Sequence, residues 1–119
     1  MTVLEKPLFK NTCPDLDDPA TIRTAQISKA LGHPVRLAIL KLLSERDNCF
    51  CGDFTDVFPL AQSTVSQHLK VLKDTGLITG TNRGVRTCYC LNQDGIEELN
   101  QTLKTLSDMF ETSDRSSCC

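Results

Sequence analysis

Residues 62–74 read "QSTVSQHLKVLKD", and the spacing within this stretch decides the fold. Val65, Leu69 and Leu72 recur at i, i+4 and i+7, which predicts a helix with one apolar face, and Gly76 supplies its stop. Burying that stripe leaves Gln62, Ser63, Ser66, Gln67 and Lys70 facing outward. Serine and glutamine are short donor/acceptors suited to base edges, and Lys70 and Lys73 are suited to phosphates. Any one of these residues would also serve on an ordinary solvated helix. A nearly charge-free Ser/Thr/Gln start followed by lysines is the more specific pattern.

Downstream, "LITGTNRGVRTCYCL" reads as a β-hairpin, with β-rich arms around a turn containing Asn82-Arg83-Gly84. Arg83 and Arg86 near its tip are placed to reach a groove or the nucleic-acid backbone. Upstream, "DFTDVF" opens at Gly52-Asp53 and stops at Pro59, a short helix, and "CFC" before it is long enough for a three-residue strand. Short helix, turn, polar-faced helix and hairpin follow the order of a winged helix-turn-helix. The expected fold class is mainly α with a small β-hairpin.

The remaining helices follow from punctuation. Asp18 and Pro19 form a cap and first-turn pair, and "PATIRTAQISKAL" runs from them to Gly32. Pro34 opens "PVRLAILKLLSE", apolar nearly all round and therefore a buried central helix. From about Gln93 to Glu111, Ile96, Leu99, Leu103, Leu106 and Phe110 step by 3, 4, 3 and 4. Such a narrow seam packs helix on helix. A single small domain has limited core to cover, so the seam is read as a dimer interface rather than a cover for the chain's own core. Residues 1–17 are expected to be a flexible arm, 18–111 the DNA-binding and dimerisation domain, and 112–119 a disordered cysteine-containing tail.

The 119-residue chain is the size of one small domain, with ordinary hydrophobic (39%) and charged (24%) content. Its net charge of −2 disfavours nucleic acid only as a sum. Residues 62–91 carry four basic side chains against Asp74, a net +3, and the rest carries −5. No apolar run approaches the roughly 18 residues of a membrane span, and no signal peptide is evident. A cytoplasmic location with reduced thiols is expected.

Taken together, "KALGHPVRLAILKLL", "STVSQHLKVLKDTGLI" and the hairpin ending "CYCLN" resemble the ArsR/SmtB-type metalloregulatory repressors over roughly residues 25–110. The resemblance implies a homodimeric winged-helix repressor that leaves double-stranded operator DNA on binding an effector. It places Ser63, Thr64, Ser66, Gln67 and Lys70 on the recognition helix. Ala61 departs from it, since relatives often carry a serine cap there. No enzymatic activity is expected. A thiol enzyme such as an arsenate reductase needs an activated cysteine, and Asp47, Asp53 and Asp56 would work against activation of Cys49 or Cys51. His33 and His68 are read as structural.

Seven cysteines, Cys13, Cys49, Cys51, Cys88, Cys90, Cys118 and Cys119, remain to be placed. An odd, scattered set makes a disulfide framework the weakest reading. Thiolates select soft ions. On a strand, Cys49 and Cys51 project to the same side, giving two legs of a site for As(III) or Sb(III), which want three thiolates. Members of the resembling family use a C-x-C-D segment before the recognition helix, some with cysteines from the partner's N-terminal arm, others with cysteines on the C-terminal helix or tail. Here the pair lies one residue early, Gly52 occupies the usual second cysteine position, and Thr55 the third. The missing ligand is therefore sought at Cys13 first, then at Cys118/Cys119, then at Cys88/Cys90. The last would follow if "CFC" and "CYC" lay side by side, although Tyr89 and Leu91 look like the inward face of their strand. Four converging thiolates would favour Cd(II) or Pb(II). A thiol redox switch is the other alternative, and because a C-x-C pair closes only a small strained ring, its oxidative partner is expected to be distant. Zinc-type relatives use Asp and His on the last helix, which here contains no histidine. No permanently bound cofactor is expected.

Overall fold

The structure, a computed structural model, describes residues 16–111. Its elements are α1 (Pro19–Leu31), α2 (Pro34–Glu45), β1 (Cys49–Phe50), a 3-10 turn (Phe54–Asp56), α3 (Gln62–Thr75), β2 (Ile78–Arg83), β3 (Arg86–Leu91) and α4 (Gln93–Glu111).

Local chemistry explains most boundaries. The Asp18 carboxylate accepts the Thr21 N–H at 3.1 Å and Pro19 leads α1. At the start of α2, His33 Nδ1 accepts the Val35 N–H at 3.1 Å, the structural role expected of it. Ala61 leaves α3 without a side-chain cap, whereas Gly76, at φ 93°, ends it in the left-handed conformation that glycine adopts at little cost. Past α2, Asp47 and Asn48 both take positive φ (58° and 73°), a conformation that short polar side chains tolerate. This left-handed pair reverses the chain and feeds it straight into β1.

The sheet is antiparallel in the order β1-β3-β2. Cys49 pairs with Cys90 and Phe50 with Tyr89, and on the other side of β3 the register runs from Ile78 opposite Leu91 to Arg83 opposite Arg86. Phe50, Tyr89 and Leu91 pack against the main core, formed by Ala30, Ile39, Leu42, Leu43, Phe54, Val65, Leu69, Leu72, Leu77 and Ile78. The α3 stripe Val65, Leu69 and Leu72 is buried as its spacing predicts. Truncating a fully buried leucine such as Leu72 to alanine costs about 2–5 kcal/mol in comparable cores.

Several expectations are corrected. "DFTDVF" makes a single 3-10 turn rather than a helix, because Pro59 leaves too few residues for successive i to i+4 bonds. β1 is two residues long, not three. The hairpin turn is Gly84-Val85, with Arg83 and Arg86 already in the strands; glycine with positive φ (70°) at the first loop position is what a two-residue II′ loop requires. Leu37, on the supposedly buried α2, is 51% exposed.

The start of α4 is fixed to the end of α3. The Asn92 side-chain amide donates to the Gly76 carbonyl at 2.9 Å, and the Asn92 N–H donates to Leu77 O at 2.9 Å. Gly95 is buried so tightly there that a Cβ would collide with the Gly76 carbonyl oxygen.

Candidate nucleic-acid interface and thiol site

With its apolar stripe buried, α3 leaves Gln62, Ser63, Ser66, Gln67, Lys70 and Lys73 exposed and Thr64 half-buried. Lys70 donates to Asp74 at 3.0 Å in an exposed i, i+4 pair, an interaction worth a few tenths of a kcal/mol and easily exchanged. His68, half-buried, lies 4.2 Å from the His33 ring, and its Nδ1 is 3.3 Å from Arg36 Nη1. Burial first, then the His33 and Arg36 charges, hold His68 below the usual imidazole value. Arg36 also donates to the carbonyls of Ala30 (2.7 Å) and Lys29 (3.0 Å), so it ties the end of α1 to the reading helix. Nothing in the sequence marks Arg36, since a lone arginine on an apolar helix carries no periodic signal.

At the hairpin tip, Arg83 and Arg86 stand directly opposite each other, both exposed. Two like charges at one cross-strand position repel. A cleft of about 330 Å³ opens between the tip and the start of α3, lined by Asp53, Gln62, Ser66, Val85, Arg86 and Tyr89 among others. Asp53 accepts the Thr55 hydroxyl (2.7 Å) and N–H (2.9 Å), and these bonds hold its carboxyl below the usual range. Arg86 Nη1 reaches the Cys51 carbonyl at 3.5 Å, the outer limit of hydrogen-bond length.

That contact joins the basic hairpin to the cysteines. The Leu91 N–H donates to Asn48 O at 2.8 Å, so in this ladder the hydrogen-bonded positions fall on Asn48/Leu91 and Phe50/Tyr89. Cys49/Cys90 and Cys51/Cys88 take the alternate positions, where antiparallel strands come closest and side chains of one face nearly touch. Their Cα atoms are 4.0 Å apart in both pairs, and the sulfurs are joined as disulfides Cys49–Cys90 and Cys51–Cys88. All four sulfurs lie on the sheet face opposite Phe50 and Tyr89. The low weight given to disulfides is corrected here, since register brings together partners that chain order separates by 41 and 37 residues. The distant oxidative partner expected for each cysteine of the C-x-C pair is thereby identified. Tyr89 and Leu91 do face inward, yet Cys88 is only 5% exposed, whereas Cys90 on the same strand is half-buried. Cys13, Cys118 and Cys119 lie outside the described residues.

In the disulfide form these sulfurs have no thiolate to offer an ion, and among the described residues no group of three or more His, Cys, Asp or Glu side chains stands ready for one. Reduced, the same face carries four sulfur donors, with Thr79 opposite Cys90 and Thr81 opposite Cys88 on the neighbouring strand, and the sulfurs fit thiophilic ions.

On α4, Ile96, Leu99 and Leu106 are half-buried, Leu99 against the chain's own core, whereas Leu103 (48%) and Phe110 (72%) remain exposed. No helix among the described residues is long and apolar enough to cross a membrane.

An exposed polar helix set against a basic two-stranded wing, with a tight turn before it, defines a winged helix-turn-helix transcriptional regulator, a DNA-binding rather than an enzymatic class. Residues 31–81 match the helix-turn-helix domain family. The chain is 39% identical over 93 residues to an arsenical resistance operon repressor of Staphylococcus xylosus, covering 78% of this chain and 85% of the relative. It is also 39% identical over 92 residues to an arsenical resistance operon repressor of Bacillus subtilis, covering 76% and 85%. HlyU from Vibrio cholerae superposes with a TM-score of 0.60 at 27% identity, covering 75% of this chain and 96% of that one. An ArsR family transcriptional regulator superposes with a TM-score of 0.64 at 20% identity, over 78% and 95%, and so shares the fold. The chain belongs to the ArsR/SmtB family of transcriptional repressors.

Proposed function

We propose that this protein is a dimeric repressor of a metalloid-resistance operon, released from its operator when As(III) or Sb(III) binds cysteine thiolates. The observation that carries this reading is the gathering of Cys49, Cys51, Cys88 and Cys90 on one sheet face, one hydrogen bond away from the wing through Arg86 and the Cys51 carbonyl. The relatives named as arsenical resistance operon repressors support it. Gln62, Ser63, Thr64, Ser66 and Gln67 read base edges, and Lys70, Lys73, Arg83 and Arg86 neutralise phosphates. An anion between Arg83 and Arg86 would relieve their mutual repulsion. The exposed part of the α4 seam, with Ile96, Leu99 and Leu106 behind Leu103 and Phe110, meets a second copy.

Cys49 and Cys51 supply two ligands, and Cys88 or Cys90 stands nearer in the fold than any other described cysteine to supply the third. Cys13, Cys118 and Cys119 enter the same test. Release requires only that the ion bind the DNA-free form better by the coupling energy, typically about 1–3 kcal/mol. The decisive experiment is arsenite-driven operator release by the reduced protein and by each single Cys→Ser variant. Loss of response in Cys49→Ser and Cys51→Ser supports the assignment, and wild-type behaviour in both overturns it. Convergence of four sulfurs also favours a second reading, Cd(II) or Pb(II) on all four thiolates. In that case both Cys88→Ser and Cys90→Ser, not one of them alone, weaken the response.

A further inference from the structure

Resting on that reading, we infer that the four sheet cysteines are a redox-gated ligand set. The two cross-strand disulfides are the closed form of the site that takes the thiophilic ion when reduced, so an oxidant of the peroxide class makes the repressor blind to the ion.

Geometry decides which bonds oxidation makes. Along an extended strand, residues two apart are separated by roughly 6.8 Å, at the far end of the usual span for a disulfide and with strain to close. Across the ladder, Cys49 and Cys90 are 4.0 Å apart at Cα, as are Cys51 and Cys88, a little inside the near end of that span. The two side chains of each pair stand side by side on one face with their sulfurs already joined. Oxidation therefore couples across strands rather than within C-x-C. An ion that takes its three sulfurs from this face cannot survive the change, because one disulfide leaves two of the four thiolates and the second leaves none.

Exposure sets the order of events. Cys51 is exposed and Cys49 half-buried, whereas Cys88 is buried beneath the β1 edge. Although the nearby Asp53 works against activation, Cys51 is the sulfur that peroxide reaches. Its thiolate form attacks one oxygen of hydrogen peroxide, the O–O bond breaks, and a sulfenic acid and a hydroxide form; the hydroxide takes up the proton as water. The Cys88 thiol then attacks the sulfenic sulfur, the S–S bond forms, the S–O bond breaks, and its proton leaves with the hydroxide as a second water. Two electrons pass from the two sulfurs to the peroxide. Cys49 and Cys90 repeat the sequence with a second peroxide, and a dithiol reductant reverses both.

The gate does more than consume ligands. β1 is held to β3 by only two paired positions, and the disulfides add two covalent rungs between the segment that enters the helix-turn-helix and the strand that carries Arg86. In the closed form β1 and β3 cannot part at these two rungs.

The test uses the full-length protein, fully reduced under anaerobic conditions and then treated or not with hydrogen peroxide. Three measurements are made: peptide mass mapping of the disulfides, sulfur-to-arsenic charge-transfer absorbance during arsenite titration, and operator release by fluorescence anisotropy. The expected map links Cys49 to Cys90 and Cys51 to Cys88. The expected arsenite midpoint rises by more than about tenfold on oxidation, within the usual range of coupling between sites, and returns on treatment with dithiothreitol. Cys90→Ser removes one sulfur of the set and with it the Cys49–Cys90 link, so its peroxide map should show the Cys51–Cys88 bond alone. Oxidised protein that titrates like reduced protein overturns the gate alone, as does a map that links Cys49 and Cys51 to Cys13, Cys118 or Cys119. Reduced protein that ignores both arsenite and Cd(II) overturns the effector reading and the gate with it.

Discussion

The Arg23 guanidinium grips Glu98 with two hydrogen bonds, Nε to Oε2 at 2.7 Å and Nη2 to Oε1 at 2.8 Å, and the same Nη2 donates to the Thr75 carbonyl at 2.8 Å. One side chain on α1 thus binds α4 and the last turn of the reading helix together. The bond from Arg23 holds the Glu98 carboxyl below its ordinary value of 4.5, and the bond from Glu98 raises Arg23 further.

Glu98→Gln tests this clamp. Both side chains are over a third exposed, so solvent screening limits the pair to under about 1 kcal/mol. The folded carboxyl is the stronger acid, so its contribution is complete above pH 4.5 and is lost as the pH falls through the folded value. Urea unfolding followed from pH 7 to pH 3 should show this loss in the native protein, with a smaller acid-dependent loss in Glu98→Gln.

His68 gives a second pH dependence in a different window. Its folded value lies below 6.5, so the unfolded chain binds the proton more readily. The contribution is complete above pH 6.5 and disappears as the pH falls from there through the folded value. The groups facing it are His33 and Arg36. The thermal midpoint should drop between pH 7.5 and pH 5.5, and His68→Gln should flatten that drop.

On the reading helix, Gln67 and Lys73 should fail in different ways. If Gln67 reads a base edge, Gln67→Ala costs about 1–3 kcal/mol on the cognate operator and relaxes preference at one position. If Lys73 meets a phosphate, Lys73→Ala weakens all sequences alike and lowers the salt slope by about 1. Anisotropy titrations over a salt series, on cognate and scrambled duplexes, separate the two.

For the dimer, Leu103→Asp with Phe110→Asp places two charges on the exposed seam while leaving Leu99 on its own core. Sedimentation should shift to the monomer, operator affinity should fall by more than about tenfold, and far-UV circular dichroism should stay unchanged. A doubly substituted protein that still sediments as a dimer places the interface elsewhere.

Much of this architecture was legible in the sequence because its causes are local. Pro19, Pro34 and Gly76 mark helix ends within one turn of themselves, and Val65, Leu69 and Leu72 reveal their buried face by spacing alone. The one-turn segment at Phe54–Asp56 is not legible in this way, because so short an element has no room for a period. Arg23 and Glu98 were invisible as a pair, being 75 residues apart with no pattern to link them. The cysteine pairing was half legible. "CFC" and "CYC" share the alternate spacing that a common sheet face demands, but which sulfur meets which depends on strand register, a long-range property. Cys13, Cys118 and Cys119 remain assignments made on the sequence.

The contact between Gly95 and Gly76 leaves no slack at the joint between the reading helix and the long terminal one. The chain therefore behaves there like a pair of spanner jaws forged in one piece. The proposed dimer would then gain no movement of its α3 helices from a hinge at this joint, and a single methyl group added at Gly95 would spring the tool.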